Sequence, residues 1–178
     1  MTATMTVYTI GHSTRPLGEL AALLRELDVQ ALADVRAIPR SRTNPQFNIE
    51  TLPAALADLG VSYQHFPELG GRRHRPPDAP PSPNTFWRNE SFRNYADYTA
   101  TDAFKTGIAR LEELARARCC AIMCSEALWW RCHRRIISDY LLGQGFQVLH
   151  IMGPRKAEPA ALTPNARRLT DGTLIYPT

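Results

Sequence analysis

Between Met123 and Arg135 the chain carries two thiols, a carboxylate, an imidazole and three guanidiniums: Cys124, Glu126, Arg131, Cys132, His133, Arg134 and Arg135. A thiol near cationic groups or a helix start ionises more readily and becomes a nucleophile. A carboxylate or imidazole within reach can carry the proton. These types point to Cys124 as nucleophile or redox thiol, with Glu126 and His12 as proton carriers. Each has a plainer alternative. Cys124 can be an inert strand thiol, and Glu126 can be an ion-pair partner of Arg131 or Arg134. Cys119 and Cys120 read as core filler, and Cys132 as helix packing.

Two familiar chemistries fit the spacing poorly. Cys124 to Arg131 is Cys-x6-Arg, and the intervening loop holds Trp129 and Trp130 and no glycine. Such a loop cannot wrap main-chain amides tightly around a phosphate, so a phosphatase cradle is not expected. A mixed metal site of Cys124, Cys132 and His133 with His12 or His150 stays open. Yet Cys124 and Cys132 are eight apart, outside the close pairing usual in structural zinc sites, and no metal ligand or cofactor is assigned.

The elements that must position these groups alternate along the chain. Val7–Ile10, Ala31–Val35, Val61–Phe66, Cys119–Met123 and Gln147–Met152 are short apolar runs that read as buried strands. Between them, Leu17 to Leu27, Ile49 to Leu59, Phe92 to Tyr98, Phe104 to Arg118 and the stretch up to Leu142 read as helices by spacing or position. Pro16 opens the first and Gly60 stops the second. The segment 72–90 holds Pro76, Pro77, Pro80, Pro81 and Pro83 and reads as a long loop. Thr173 to Tyr176 could add an edge strand to an otherwise irregular tail, 153–178.

This pattern predicts one α/β domain over 1–178, with a mostly parallel five-stranded sheet and helices on both faces. Polar groups then gather at the strand ends: His12 and Ser13, Asp34 and Arg36, His65 and Glu68, Cys124 and Glu126, and His150. Carboxyl ends of strands are where open α/β sheets form ligand crevices, so the groups read as one composite site. Ser13, Asp34, Arg36, Arg42, Glu68, Arg131, His133 and Arg134 are the candidate substrate-binding side chains.

Composition narrows the partner. The chain has 178 residues, 44% of them apolar, a net charge of +4, and 19 Arg against 2 Lys. Arg suits phosphate and carboxylate, though codon usage in a GC-rich genome also accounts for the total. The clusters at Arg36, Arg40 and Arg42, at Arg72, Arg73 and Arg75, and at Arg131, Arg134 and Arg135 are the sharper sign of an anionic small molecule or nucleic acid. No stretch approaches the length of a membrane span, and Met1 to Thr6 lacks a secretory pattern. The thiols therefore read as reduced and the protein as cytoplasmic.

Six ordered blocks carry a resemblance. They are Thr9-Ile10-Gly11-His12-Ser13, Asp34-Val35-Arg36 with Pro39 and Ser41, and Leu69-Gly70-Gly71 with Tyr95-Ala96. Met123-Cys124-Ser125-Glu126, Cys132-His133-Arg134 and His150-Ile151 follow. In that order they resemble the bacterial and archaeal family catalogued as domain of unknown function number 488, from about Val7 to Met152. The resemblance implies a single α/β domain and supplies no reaction. Two functions stand: an enzyme acting on a phosphorylated or nucleotide-like substrate, or a nucleic-acid-binding or regulatory module without catalysis. Oligomeric state does not follow from these residues.

Overall fold

The computed structural model describes residues 3–178. Its main sheet has the order β3-β2-β4-β1-β5-β6, formed by Thr6–Gly11 (β1), Ala31–Asp34 (β2), Ser62–His65 (β3), Cys120–Cys124 (β4), Gln147–Gly153 (β5) and Lys156–Pro159 (β6). The first five strands run parallel to their neighbours. The α/β reading holds, with one strand more than the five expected. β6 runs antiparallel to β5. Its Lys-Ala-Glu-Pro sequence has no apolar alternation and contains a proline, features that suit an edge. The stretch near Thr173 does form a strand, Leu174–Ile175 (β8), but it pairs with Arg167–Arg168 (β7) in a separate ribbon.

Side-chain alternation along the strands builds two cores. Ile10, Leu32, Ala121 and Met123 face Leu20, Leu23 and Leu24 of Leu17–Glu26 (α1) and Leu52 and Leu56 of Leu52–Ala57 (α2). Val7, Ala33, Cys120, Ile122 and Cys124 face the opposite layer. That layer contains Glu90–Tyr98 (α3), Asp102–Ala117 (α4) and Arg134–Gly143 (α5). Both β2 and β4 are buried along their whole length, which is why they read as near-continuous apolar runs. The same alternation aims Cys124 at α5.

The chain leaves β1 toward β2 on one side and leaves β4 toward β5 on the other. Neighbouring strands whose connections depart in opposite directions open a crevice at their carboxyl ends. Gly11 is level with Cys124 there. His12 N–H donates to the Cys124 carbonyl at 2.9 Å and Ser13 N–H to that of Ser125 at 3.0 Å. Gly11 cannot be replaced freely: a Cβ would lie 1.8 Å from the Glu126 carbonyl oxygen.

The proline-rich segment is anchored at its exit. The Asn84 side chain donates to Asp97 at 2.7 Å and accepts from Tyr176 N–H at 2.9 Å. Trp87 stacks on Phe92 at 4.8 Å between ring centres and meets the edge of Tyr176 at 5.2 Å. The tail thus packs over the loop's end. Among the described residues no helix is long and apolar enough to cross a membrane.

Candidate functional site

A cavity of about 770 Å³ opens at this crevice. His12, Ser13, Arg36, Cys124, Glu126, Arg131 and His133 line it, as expected from the strand ends. Four other expected residues lie elsewhere. Asp34 and Arg134 lie under the wall. Arg42 sits on a shallower hollow of about 530 Å³ with Pro45 and Asn48. The Glu68 carboxylate turns to Arg110 of α4 at 3.0 Å and is absent from the lining. Arg40, Ser41, Asn44, Arg72, Tyr95 and Cys132 are lining residues that the sequence did not single out for binding. Arg40 and Arg72 were visible there only as members of arginine clusters.

One side of the wall is a finished ion cluster. Arg36 is 5% exposed. Its Nε and Nη2 donate to the two Asp34 oxygens at 2.9 and 2.7 Å, and Nη2 also donates to the Phe47 carbonyl at 2.7 Å. Nη1 donates to His12 Nε2 at 3.3 Å. A guanidinium has five N–H groups, so one remains on a residue that borders the cavity. Tyr63 O–H reinforces Asp34 at 2.5 Å.

His12 stacks on Phe47 at 4.3 Å, and its Nδ1 donates to the Ser13 carbonyl at 2.8 Å. Both ring nitrogens are therefore engaged, as a neutral imidazole. Burial holds its pKa below the ordinary value; the Ser13 bond works against this and the Arg36 charge works with it. His65 Nε2 donates to the Arg36 carbonyl at 2.8 Å, fixing the chain just past β2.

The other side is built around sulfur. Helix α5 begins without a side-chain oxygen cap and without an acid in its first turn, which instead holds Arg134 and Arg135. Helix starts favour negative charge, so this one lacks its usual complement. Cys132 supplies it. Its Sγ accepts Arg134 N–H at 3.4 Å and Arg134 Nε–H at 3.4 Å, and lies 3.5 Å from His133 Nδ1 and 2.7 Å from Cys124 Sγ.

His133 Nε2 contacts the Val35 carbonyl at 2.8 Å. A carbonyl only accepts, so Nε2 carries hydrogen and Nδ1 is the nitrogen turned to sulfur. Gly71 lets the ring sit there, since a Cβ at Gly71 would lie 2.5 Å from Nδ1.

Arg134 decides the charge of this half. It is 1% exposed, and among the described residues no carboxylate lies within ion-pairing distance of it. Its Nη1 donates to Thr9 Oγ1 at 3.1 Å and its Nη2 to the Glu126 carbonyl at 2.6 Å. Both partners are neutral. A buried charge without a counter-charge costs several kcal/mol, and the two thiols are the ionisable groups that can provide one.

Burial alone would push the Cys132 thiol up. The Cys124 S–H, His133 and Arg134 outweigh that and hold it well below the ordinary thiol value. Burial, reinforced by the neighbouring Cys132 sulfur, pushes Cys124 well above its ordinary value. The contacts that stabilise an ionised sulfur, the two Arg134 N–H groups and the His133 ring, fall on Cys132, whereas Cys124 Sγ lies 3.8 Å from the Glu126 carbonyl. The same guanidinium also bears on His150, whose pKa burial and then Arg134 lower to about 4. His150 stays neutral against Thr9 at 2.6 Å, and Trp129 stacks over it at 4.4 Å.

Glu126 forms neither of the ion pairs that its neighbours suggest. Its Oε1 accepts Leu128 N–H at 3.1 Å and shapes the loop. Among the described residues no group of three or more His, Cys, Asp or Glu side chains is arranged to hold a metal ion.

The family described as a domain of unknown function, DUF488, matches residues 16–141. The chain belongs to the DUF488 family. No curated protein and no solved structure matches the chain. The DUF488 match spans β2, β4 and the start of α5, hence Asp34, Arg36, Cys124, Cys132, His133 and Arg134. His12 and Ser13 on one side and His150 on the other lie outside it. In this DUF488 chain they are brought to the site by the pairing of β1 with β4 and β5.

Proposed function

We propose that this protein is a thiol-dependent enzyme acting on an anionic, phosphorylated or nucleotide-like substrate, with Cys132 as its nucleophile. The observation that carries the reading is the convergence on Cys132 Sγ of a helix N–H, the Arg134 guanidinium, the His133 ring and the Cys124 sulfur, at the wall of the 770 Å³ cavity.

Roles follow from geometry. The nucleophile shifts from Cys124, the sequence expectation, because the Arg134 N–H groups and the His133 ring converge on Cys132. His133 replaces His12 as proton carrier: its Nδ1 faces the sulfur while both His12 nitrogens are occupied. Glu126 keeps one oxygen uncommitted beside the cavity and can move a substrate proton. Arg36, Arg40, Arg72 and Arg131 hold the anion; the spare N–H of Arg36 and the cationic rim favour negative charge over a neutral ligand. Ser13 and Asn44 offer neutral hydrogen bonds. Attack by the thiolate on an electrophilic centre of the bound anion would form a covalent enzyme adduct, released by a second nucleophile.

One observation favours the second reading, a nucleic-acid-binding module. Trp130 is 43% exposed beside the exposed Arg131, a pairing that can stack on a base while the arginine meets phosphate. Binding by that route weakens steeply with salt.

The test compares iodoacetate, an anionic electrophile, with neutral iodoacetamide at Cys132, followed by mass spectrometry with inorganic phosphate or a nucleoside monophosphate as competitor. The enzyme reading expects Cys132 to label before Cys119, Cys120 and Cys124, to prefer iodoacetate, and to be protected by the phosphates. Slow labelling with no preference and no protection would overturn it.

A further inference from the structure

We propose that hydroperoxides oxidise Cys132 and that Cys124 captures the product as a reversible disulfide, which switches the nucleophile off. The inference rests on the reading of Cys132 as the site's thiolate and adds the regulation of that site.

Proximity is the first support. The Cys124 and Cys132 sulfurs are 2.7 Å apart on two different elements, the end of β4 and the turn before α5. A disulfide needs about 2.05 Å between sulfurs, so a small side-chain rotation suffices. The other thiols are not competitors. Cys119 Sγ contacts the Leu27 carbonyl at 3.7 Å, on the far side of β4's start. Cys120 is fully buried, and burial pushes it up to about 12. Both reacting sulfurs, by contrast, border the cavity through which a small oxidant enters.

Chemistry is the second. Peroxides react with thiolates, and sensor cysteines pair an ionised sulfur with a resolving thiol. The Cys132 sulfur attacks the terminal oxygen of the hydroperoxide and the O–O bond breaks. Cys132 becomes a sulfenic acid, oxidised by two electrons, while the departing alkoxide takes a proton from solvent and leaves as an alcohol. With hydrogen peroxide the product is water.

The Cys124 sulfur then attacks the Cys132 sulfur. The S–O bond breaks, and the hydroxyl leaves as water with the Cys124 proton. Two molecules of a low-molecular-weight thiol such as glutathione reverse the oxidation, becoming a disulfide themselves.

Electrostatics sets the direction of the balance. Oxidation removes the negative sulfur and leaves Arg134 buried against Thr9 and the Glu126 carbonyl alone. The reduced pair is therefore the stabilised one, and disulfides of that kind are readily reduced. The arrangement makes a transient switch and a poor permanent cross-link.

The full chain is treated with hydrogen peroxide, digested without reductant and searched for the Cys124–Cys132 linked peptides. Their appearance supports the proposal, together with a loss of iodoacetate labelling at Cys132 of at least about tenfold that glutathione restores. In Cys124→Ser, dimedone should trap the sulfenic acid on Cys132; the wild-type cross-link needs no variant and stands if C124S does not fold. Fast labelling of untreated Cys132, followed by sulfinic acid and no cross-link after peroxide, overturns the switch and leaves the proposed enzyme intact. Ordinary reactivity of untreated Cys132 overturns both.

Discussion

Two buried arginines flank the same cavity and are treated in opposite ways. Arg36 meets Asp34 with two charge-assisted bonds and has Phe47 and His12 as further acceptors. Arg134 is more deeply buried and meets a hydroxyl, a carbonyl and sulfur. The first charge is paired with the Asp34 carboxylate, so that half is scaffold with one donor to spare. The second charge is balanced only while a thiol gives up its proton. In the proposed enzyme, a buried guanidinium without a carboxylate partner is what makes Cys132 reactive.

The comparison breaks most visibly at Asp34. Asp34→Ala strands Arg36 without its counter-charge and should destabilise the protein by about 3–5 kcal/mol in urea unfolding. Acid titration reads the other half. His150 in the unfolded chain takes its proton near 6.5, but the folded protein resists until about 4. The unfolded state therefore binds the extra proton first, and stability falls as pH drops from about 6.5 toward 4, by up to ~3 kcal/mol. His12, shifted in the same direction, adds to the fall. His150→Gln should flatten this slope; an unchanged slope would contradict the lowering of His150 by burial and Arg134.

Arg134→Met should cost less stability than Asp34→Ala, about 1–3 kcal/mol, because Cys132 can reprotonate where Asp34 cannot be replaced. Equal losses for the two variants would erase the distinction. Smallest of all is Arg131→Ala. An exposed rim arginine should change stability by less than about 0.5 kcal/mol while lowering the preference of Cys132 for iodoacetate over iodoacetamide.

How far the sequence carried varies with the physics of each residue. β2 and β4 were legible because strands buried on both faces must be apolar throughout. Their ends announced the crevice because Asp34, Arg36, Cys124 and Glu126 follow those runs directly. β6 was not legible, since an edge strand needs no apolar pattern. The direction of Glu68 was not legible, because it depends on Arg110, far along the chain in α4.

The choice between Cys124 and Cys132 was hidden for a similar reason. It depends on a His133 ring pinned by the Val35 carbonyl and on there being, among the described residues, no carboxylate paired with Arg134, both tertiary facts. One signal was present in the sequence: a Cys-His-Arg triplet opening a helix, a setting that lowers a thiol's pKa.

The most direct test of the account is the pH dependence of alkylation at Cys132, read by mass spectrometry in the wild-type protein and in Arg134→Met. The predicted result is a midpoint well below the ordinary thiol value of about 8.5, moving up by about 1–3 units when the guanidinium is removed. A wild-type midpoint at the ordinary value, or one indifferent to Arg134, would contradict the claim that this buried charge makes the nucleophile.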